Sequence, residues 1–213
     1  MSWENKDWDR ANREERPPGG PVMLPLADPS LILALQEYLE KRSLSYTVAD
    51  RCGWYPAWAH GPRIITPCTR DDGPTFWQGR LLDNVPHQGS AKRWDSPHGP
   101  RGDALCYLPA HGSRTMVVVE GPMDALAATM AGVSAIATLG IGAPGPVLAH
   151  AANIIRSGFY NQVIIIPDRD EVGAWVRIQK DLGTMGVIAE IREPWAKDLA
   201  DMIPANREEL IRG

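Results

Sequence analysis

Thr115-Met116-Val117-Val118-Val119-Glu120-Gly121-Pro122-Met123-Asp124 is the most informative decapeptide of the chain: an apolar run of strand length stops at an acid, a glycine and a proline. A short continuous apolar run bounded by turn residues fits a strand buried on both faces, and proline suits the first turn of the helix that follows. Reading outward, Pro122 to Ala131 is helical and ends at Gly132, Val133 to Thr138 is a second strand, and Pro146 to Arg156 a second helix. Gln162 to Ile166 gives a third strand, Glu171 to Leu182 a third helix with Gly183 near its end, and Val187 to Arg192 a fourth strand. Apolar strands alternating with helices of this length predict an α/β fold, a mostly parallel sheet with helices on both faces.

The text before His111 differs. Asp28 or Ser30 can cap a first helix, with Leu31, Ile32, Leu35, Tyr38 and Leu39 recurring on one face. From Leu44 to Leu108, pieces such as Arg63-Ile64-Ile65 and Thr75-Phe76-Trp77 are separated by glycine and proline, the pattern of a small α+β subdomain. Residues 1–21 are polar, carry Trp3 and Trp8, and end in Pro17-Pro18-Gly19-Gly20-Pro21, as a flexible tail would. The organisation expected is a tail at 1–21, an α+β subdomain at 22–111, an α/β domain at 112–203 and a C-terminal tail at 204–213.

Composition narrows the classes. The 213 residues can bury one good-sized core or two modest ones. No apolar run approaches the ~20 residues of a membrane span, and the first residues lack the pattern of a secretory signal, so a cytoplasmic protein with no membrane partner is expected. Cys52, Cys68 and Cys106 form no close sequence pair, so neither a disulfide framework nor structural zinc is expected. A net charge of -4 argues against gripping long duplex DNA by bulk electrostatics, yet Arg63, Arg70, Arg80, Lys92, Arg93 and Arg101 concentrate positive charge in one stretch.

In open parallel sheets the ligand crevice lies beyond the carboxyl ends of the strands. Glu120 follows directly on one apolar run, and Asp168 follows Val163-Ile164-Ile165-Ile166-Pro167 on another. If extended backbone persists through the turn, Asp168 and Asp170 project to one side. Three carboxylates gathered there repel one another until protons or a divalent cation relieve them, and all-oxygen ligands suit magnesium or manganese. A lone acid after a strand is more often a helix cap or a solvated turn, so the combination carries the reading.

These residues resemble a known family. Val119-Glu120-Gly121-Pro122-Met123-Asp124 resembles the acidic-glycine signature of the TOPRIM domain, and Asp168-Arg169-Asp170-Glu171-Val172-Gly173 its Asp-x-Asp-x-x-Gly signature. Leu35 to Ser45 is similar to the opening helix and Arg-Gly-Leu-Ser turn of bacterial and phage DnaG-type primases, with Ser43 where glycine is usual. Gln78-Gly79-Arg80-Leu81-Leu82 and Lys92-Arg93-Trp94-Asp95-Ser96-Pro97 resemble segments of the primase's basic subdomain, with Arg93 and Asp95 in place of tyrosine and asparagine; Lys197-Asp198-Leu199-Ala200-Asp201 resembles the element after the sheet. The likeness spans about Ser30 to Ile203, with no zinc-binding domain before it.

The resemblance implies a minimal DNA primase, joining nucleoside triphosphates into short primers on single-stranded DNA. It implies Mg2+ or Mn2+ held by Glu120, Asp168 and Asp170, with Glu120 also a proton acceptor and Asp124 and Asp198 as secondary acids. Arg80, Lys92, Arg93 and Lys197 would hold template or nucleotide phosphates. A replicative helicase, or a separate zinc-domain or single-strand-binding protein, would supply what the chain lacks. The residues alone leave open a TOPRIM-type metal-dependent nuclease and a non-catalytic single-stranded-DNA-binding replication module. For Trp77 and Trp94, packing is favoured over base stacking. The loop Gly140 to Gly145 is weak evidence of a phosphate cradle.

Overall fold

A computed structural model describes residues 22–70, 76–87, 91–97, 101–140 and 142–213. The expected N-terminal tail, Trp3 and Trp8 included, lies outside the described residues, as does Ile141 of the glycine-rich loop. A 3-10 turn over Pro29–Leu31, capped by the Asp28 carboxylate accepting from the Ser30 amide at 3.0 Å, leads into helix α1 (Ile32–Glu40). Leu31, Leu35, Tyr38 and Leu39 are buried, as their spacing predicts. Helix α2 (Tyr46–Arg51) follows, its first turn capped by the Ser45 hydroxyl.

Four antiparallel strands come next in simple spatial order: β1 (Tyr55–Trp58), β2 (Pro62–Cys68), β3 (Phe76–Leu81) and β4 (Trp94–Asp95). The second sheet has the order β5-β7-β6-β8-β9, with β5 (Cys106–Leu108), β6 (Thr115–Val119), β7 (Ser134–Ala137), β8 (Gln162–Ile165) and β9 (Glu190–Ile191). Strands β6 to β9 pair in parallel, and β5 is an antiparallel edge. Although β5 precedes the expected boundary at residue 111, it belongs to this second sheet.

Period-two alternation sorts the side chains of the parallel strands between two layers. Met116, Val118, Ile136, Val163 and Ile165 pack against helices α4 (Gly145–Ser157) and α5 (Val172–Thr184), through Val147, Leu148, Ile155, Trp175, Ile178 and Leu182. Val117, Val119, Ala135, Ala137 and Ile164 face the other way, onto α3 (Pro122–Met130), α1 and the last helix. Each fully buried valine or isoleucine contributes roughly 1.5–3 kcal/mol, which is why these strands carry no polar residue on either face over Met116 to Val119.

Two expectations fail. The fourth strand is only Glu190–Ile191, because β9 is an edge that pairs with β8 at just Ile164 and Ile165; Val187 before it is buried among the α4 and α5 side chains, and Ile188 is exposed. The segment 204–213, expected as a tail, contains helix α6 (Pro204–Arg212), with proline at its start and Leu210 and Ile211 in the core. The three cysteines, distant in sequence, share one apolar cluster: Cys68 and Cys106 are buried in it, and the partly buried Cys52 packs against it.

Candidate functional site

Parallel pairing of β6 with β8 puts their carboxyl ends side by side, and the chain leaves each at an acid. Glu120 follows Val119, its carbonyl accepting from the Leu139 amide at 2.9 Å. Gly121 then turns the chain into α3, where Asp124 occupies the first turn and favours the helix dipole. A Cβ on Gly121 would meet the Asp124 carboxylate at 3.0 Å, so glycine lets the turn and this acid pack closely. Asp124 is buried and accepts from the Ala200 amide at 2.9 Å, which fixes the segment after the sheet against α3.

A cleft of about 240 Å³ opens here. Its lining holds the acids Glu120, Asp124, Asp168, Asp198 and Asp201 from the parallel-sheet half together with Arg42, Arg80 and Arg93 from the N-terminal half, and Lys197. Arg80, buried, comes from β3: its Nε donates to the Tyr38 hydroxyl at 3.0 Å, and its guanidinium lies over the Trp94 ring at 4.8 Å. Arg42 lies over the opposite partner, the Tyr38 ring, at 4.1 Å. Such stacking fixes two cations in position without neutralising them, leaving their donors for an anionic ligand.

The acids are close enough to raise one another. Burial, then Asp198, pushes the Asp124 carboxyl well above its ordinary value, with Asp168 and Glu120 adding to the shift. Asp168 is pushed up to about 6 by burial, then by Asp198 and Glu171, with Asp170 the weakest contributor and Lys197 opposing. Asp198 is also raised, chiefly by burial, although it accepts from the Asp201 amide at 2.8 Å. A divalent cation would relieve this repulsion, and the all-oxygen donor set fits magnesium or manganese. Among the described residues no three His, Cys, Asp or Glu side chains are gathered tightly enough to hold a metal ion by themselves. Magnesium commonly takes only one or two carboxylates, completing its shell with water and substrate phosphate, and two neighbouring acids meet that need.

Of the residues singled out from sequence, Glu120, Asp124, Asp168, Asp198, Arg80, Arg93 and Lys197 meet in the cleft. Asp170 and Lys92 are exposed and do not line it. Asp170 departs because the backbone does not stay extended: Arg169–Glu171 is a 3-10 turn, which breaks the alternation that would put Asp168 and Asp170 on one side. Trp77 is a packing residue whose indole N–H donates to the Met23 carbonyl at 3.2 Å, whereas Trp94 lines the cleft. Asp95 meets His60 at 3.0 Å and the buried Arg63 at 3.7 Å, so this departure from the primase pattern serves the antiparallel sheet. Sequence reasoning gave no role to Tyr38, Arg42 or Arg207. Arg42 was legible inside the quoted Arg-x-Leu-Ser turn; Tyr38 read only as core.

Arg207, on α6 and only 1% exposed, donates to the carbonyls of Leu199 at 3.1 Å and Ala200 at 2.7 Å. It also reaches the carbonyls of Arg42 at 2.9 Å and Ser43 at 3.0 Å. One guanidinium thus ties the α1 end of the cleft to the segment bearing Asp198.

Residues 117–203 match the model of the Toprim-like family. No curated protein matches the chain by sequence. Among solved structures, the RNA polymerase domain of Mycobacterium tuberculosis primase DnaG is similar at 18% identity and a TM-score of 0.61, over 84% of this chain and 75% of that one. The primase fragment of the bacteriophage T7 primase-helicase protein is similar at 16% identity and a TM-score of 0.62, over 96% of this chain and 83% of that one. A chain in the structure of bacteriophage T7 lagging-strand DNA polymerase interacting with primase domains bound to an RNA/DNA hybrid and dTTP gives 18% identity and a TM-score of 0.56, covering 82% and 90%.

Proposed function

From a chain that carries a Toprim-like domain over residues 117–203 and shares the fold of DnaG-type primase domains, we propose a minimal DNA primase that assembles short primers on single-stranded DNA from nucleoside triphosphates. The observation that carries this reading is a cleft whose lining brings Glu120, Asp168 and Asp198 together with Arg42, Arg80 and Arg93. Carboxylates alone would suit a cation site of any purpose. Cations fixed in the same cleft suit a ligand that brings its own phosphates.

In this reading Glu120 and Asp168, with Asp170 or its neighbours, hold Mg2+ or Mn2+. The bound metal would stabilise charge on the attacking and leaving oxygens of an in-line displacement at the α-phosphate. Glu120, the acid that directly follows strand β6 and lines the cleft, accepts the proton of the attacking hydroxyl. Arg80, held by Tyr38 and Trp94, orients the triphosphate, and Arg93 and Lys197 neutralise its outer oxygens. Lys92, exposed at the approach from β4, guides the template phosphates. Asp124 and Asp198 shape the acidic lining, with Asp124 anchoring Ala200. No helix among the described residues is long and apolar enough to cross a membrane, and the proposed setting is the cytoplasm, beside a helicase or a protein that selects initiation sites.

The test is incubation of the full chain with single-stranded template, labelled nucleoside triphosphates and Mg2+ or Mn2+, alone and with a candidate helicase. Template-dependent oligoribonucleotides are expected, with a loss of about a thousandfold in Glu120→Ala and Asp168→Ala. Arg80→Ala is expected to raise the apparent KM for nucleotide by about tenfold or more. Shortening of labelled strands without synthesis would replace the primase by a nuclease on the same site. Strand binding that survives Asp168→Ala and needs no metal, with no product formed, would leave only a binding module.

A further inference from the structure

Away from the cleft, the two sheets touch where Thr69 meets Leu105. These residues exchange both backbone hydrogen bonds, the Thr69 amide donating to the Leu105 carbonyl at 2.9 Å and the Leu105 amide to the Thr69 carbonyl at 3.1 Å. Antiparallel pairs alternate between bonded and non-bonded, so Cys68, one residue back, and Cys106, one residue on, stand directly across from each other as a non-bonded pair. Each is paired on its other side, Cys68 with Phe76 of β3 and Cys106 with Ala137 of β7. In such a pair the Cα atoms lie roughly 4.5 Å apart with both side chains on one face, and a disulfide spans Cα separations of roughly 4.4–6.8 Å.

Burial agrees with that register. Cys68 and Cys106 are fully buried in the same apolar cluster, whereas Leu105 belongs to the other cluster and Thr69 is exposed. The third cysteine, Cys52, caps the end of α2, is only half-buried and packs against the cluster that holds the pair. The Cys106 thiol is pushed up by burial first and then by Cys68 and Cys52, which puts all three sulfurs in one neighbourhood. None of them lines the cleft.

We propose that Cys68 and Cys106 are a redox pair, closed into a reversible disulfide between the two sheets by exchange with a low-molecular-weight disulfide that enters at Cys52. Cys52 gives its proton to solvent, and its sulfur attacks the small disulfide, whose S–S bond breaks; one half leaves as a thiolate and the other stays on Cys52. Cys106, losing its proton, attacks the Cys52 sulfur and expels the second half. Cys68, losing its proton, then attacks the Cys106 sulfur and releases Cys52, which regains a proton. Two electrons pass from the pair to the small disulfide, which ends as two thiols, and Cys52 is restored. The bond fastens β2, in the sheet that carries Arg80 on β3, to β5, in the sheet whose strands β6 and β8 lead to Glu120 and Asp168.

The experiment incubates the folded full chain with oxidised glutathione, blocks the remaining thiols with N-ethylmaleimide in denaturant and digests it with trypsin. Cleavage after Arg51, Arg63, Arg70, Arg101 and Arg114 puts the cysteines on separate peptides, 52–63, 64–70 and 102–114. Mass spectrometry is expected to find 64–70 joined to 102–114, with the link removed by dithiothreitol. The linked chain is expected to melt roughly 5–10 °C higher than the reduced one, since the bond closes a long loop. Cys52→Ser is expected to slow closure by about tenfold or more, because the two buried thiols then lack the accessible one that feeds them. A glutathione adduct on Cys52 with no further transfer, or a final link from Cys52 to either partner, would overturn the proposal. So would a Cys68–Cys106 link that forms only in denaturant, and closure at the parent's rate in Cys52→Ser would overturn the relay.

Discussion

Ser43 holds a left-handed backbone conformation, φ 52°, in the turn between α1 and α2, at the position where the resembling primases have glycine. A side chain there is strained, and the Ser43 contribution used by the rest of the molecule is its carbonyl, which glycine also has. Ser43→Gly is expected to raise stability by up to about 1 kcal/mol, read as a shift of the urea midpoint with unchanged slope. Asp168 gives a prediction of opposite kind. Its carboxyl is raised to about 6 from 3.8, so the folded chain binds the proton more tightly than the unfolded one. The resulting stabilisation is complete below the unfolded value and is lost as pH rises through the folded one. Without metal, the protein is expected to melt higher near pH 5 than near pH 7.5, and Asp168→Asn to flatten that difference. An unchanged pH profile in Asp168→Asn would show that Asp168 ionises freely. At this scale the placement of Glu120 and Asp168 at the cleft was legible because strand ends can be located from apolar runs. The direction of Asp170 was not, since it depends on how tightly the backbone winds after Pro167, which no periodicity reports.

The bridge Thr69↔Leu105 joins the two sheets, with amide-to-carbonyl bonds of 2.9 and 3.1 Å, and brings Cys68 and Cys106 to facing positions. Burial pushes the Cys68 thiol up to about 12 and the Cys106 thiol well above its ordinary value. Since the thiolate is the reactive form, iodoacetamide is expected to modify the half-buried Cys52 in the native protein, and the other two only after denaturant is added. Mass-spectrometric labelling of Cys106 ahead of Cys52 would mean that the sheets part readily. The parallel strands and their helices were readable as elements because each is a long apolar or amphipathic run. Helix α6 was missed for a physical reason: only Leu210 and Ile211 give it an apolar face, and Arg207 holds it through hydrogen bonds that leave no hydrophobic pattern. The cysteine cluster was equally hidden, because a contact between sheets is not written in sequence spacing.

At the scale of the molecule, α6 ties the end of α1 to the segment after the sheet through Arg207. Arg207→Ala would remove a donor from four carbonyls, of which, among the described residues, only that of Leu199 keeps another, from the Met202 amide, and would remove the cation that Asp124, Asp198 and Asp201 favour. A loss of about 3 kcal/mol is expected by urea denaturation, with Arg207→Lys recovering little, since an ammonium lacks the planar fork that spans both segments. A midpoint unchanged in Arg207→Ala would mean that the two segments are held by packing alone. Because every acceptor of Arg207 is a peptide oxygen, common to all amino acids, the fastening is blind to the identities at positions 42, 43, 199 and 200. What limits those addresses is their other duties, the cation of Arg42 in the cleft, the left-handed backbone at Ser43 and the buried side chain of Leu199, so a lineage or a designer could retune the rim of the cleft there without loosening the bolt.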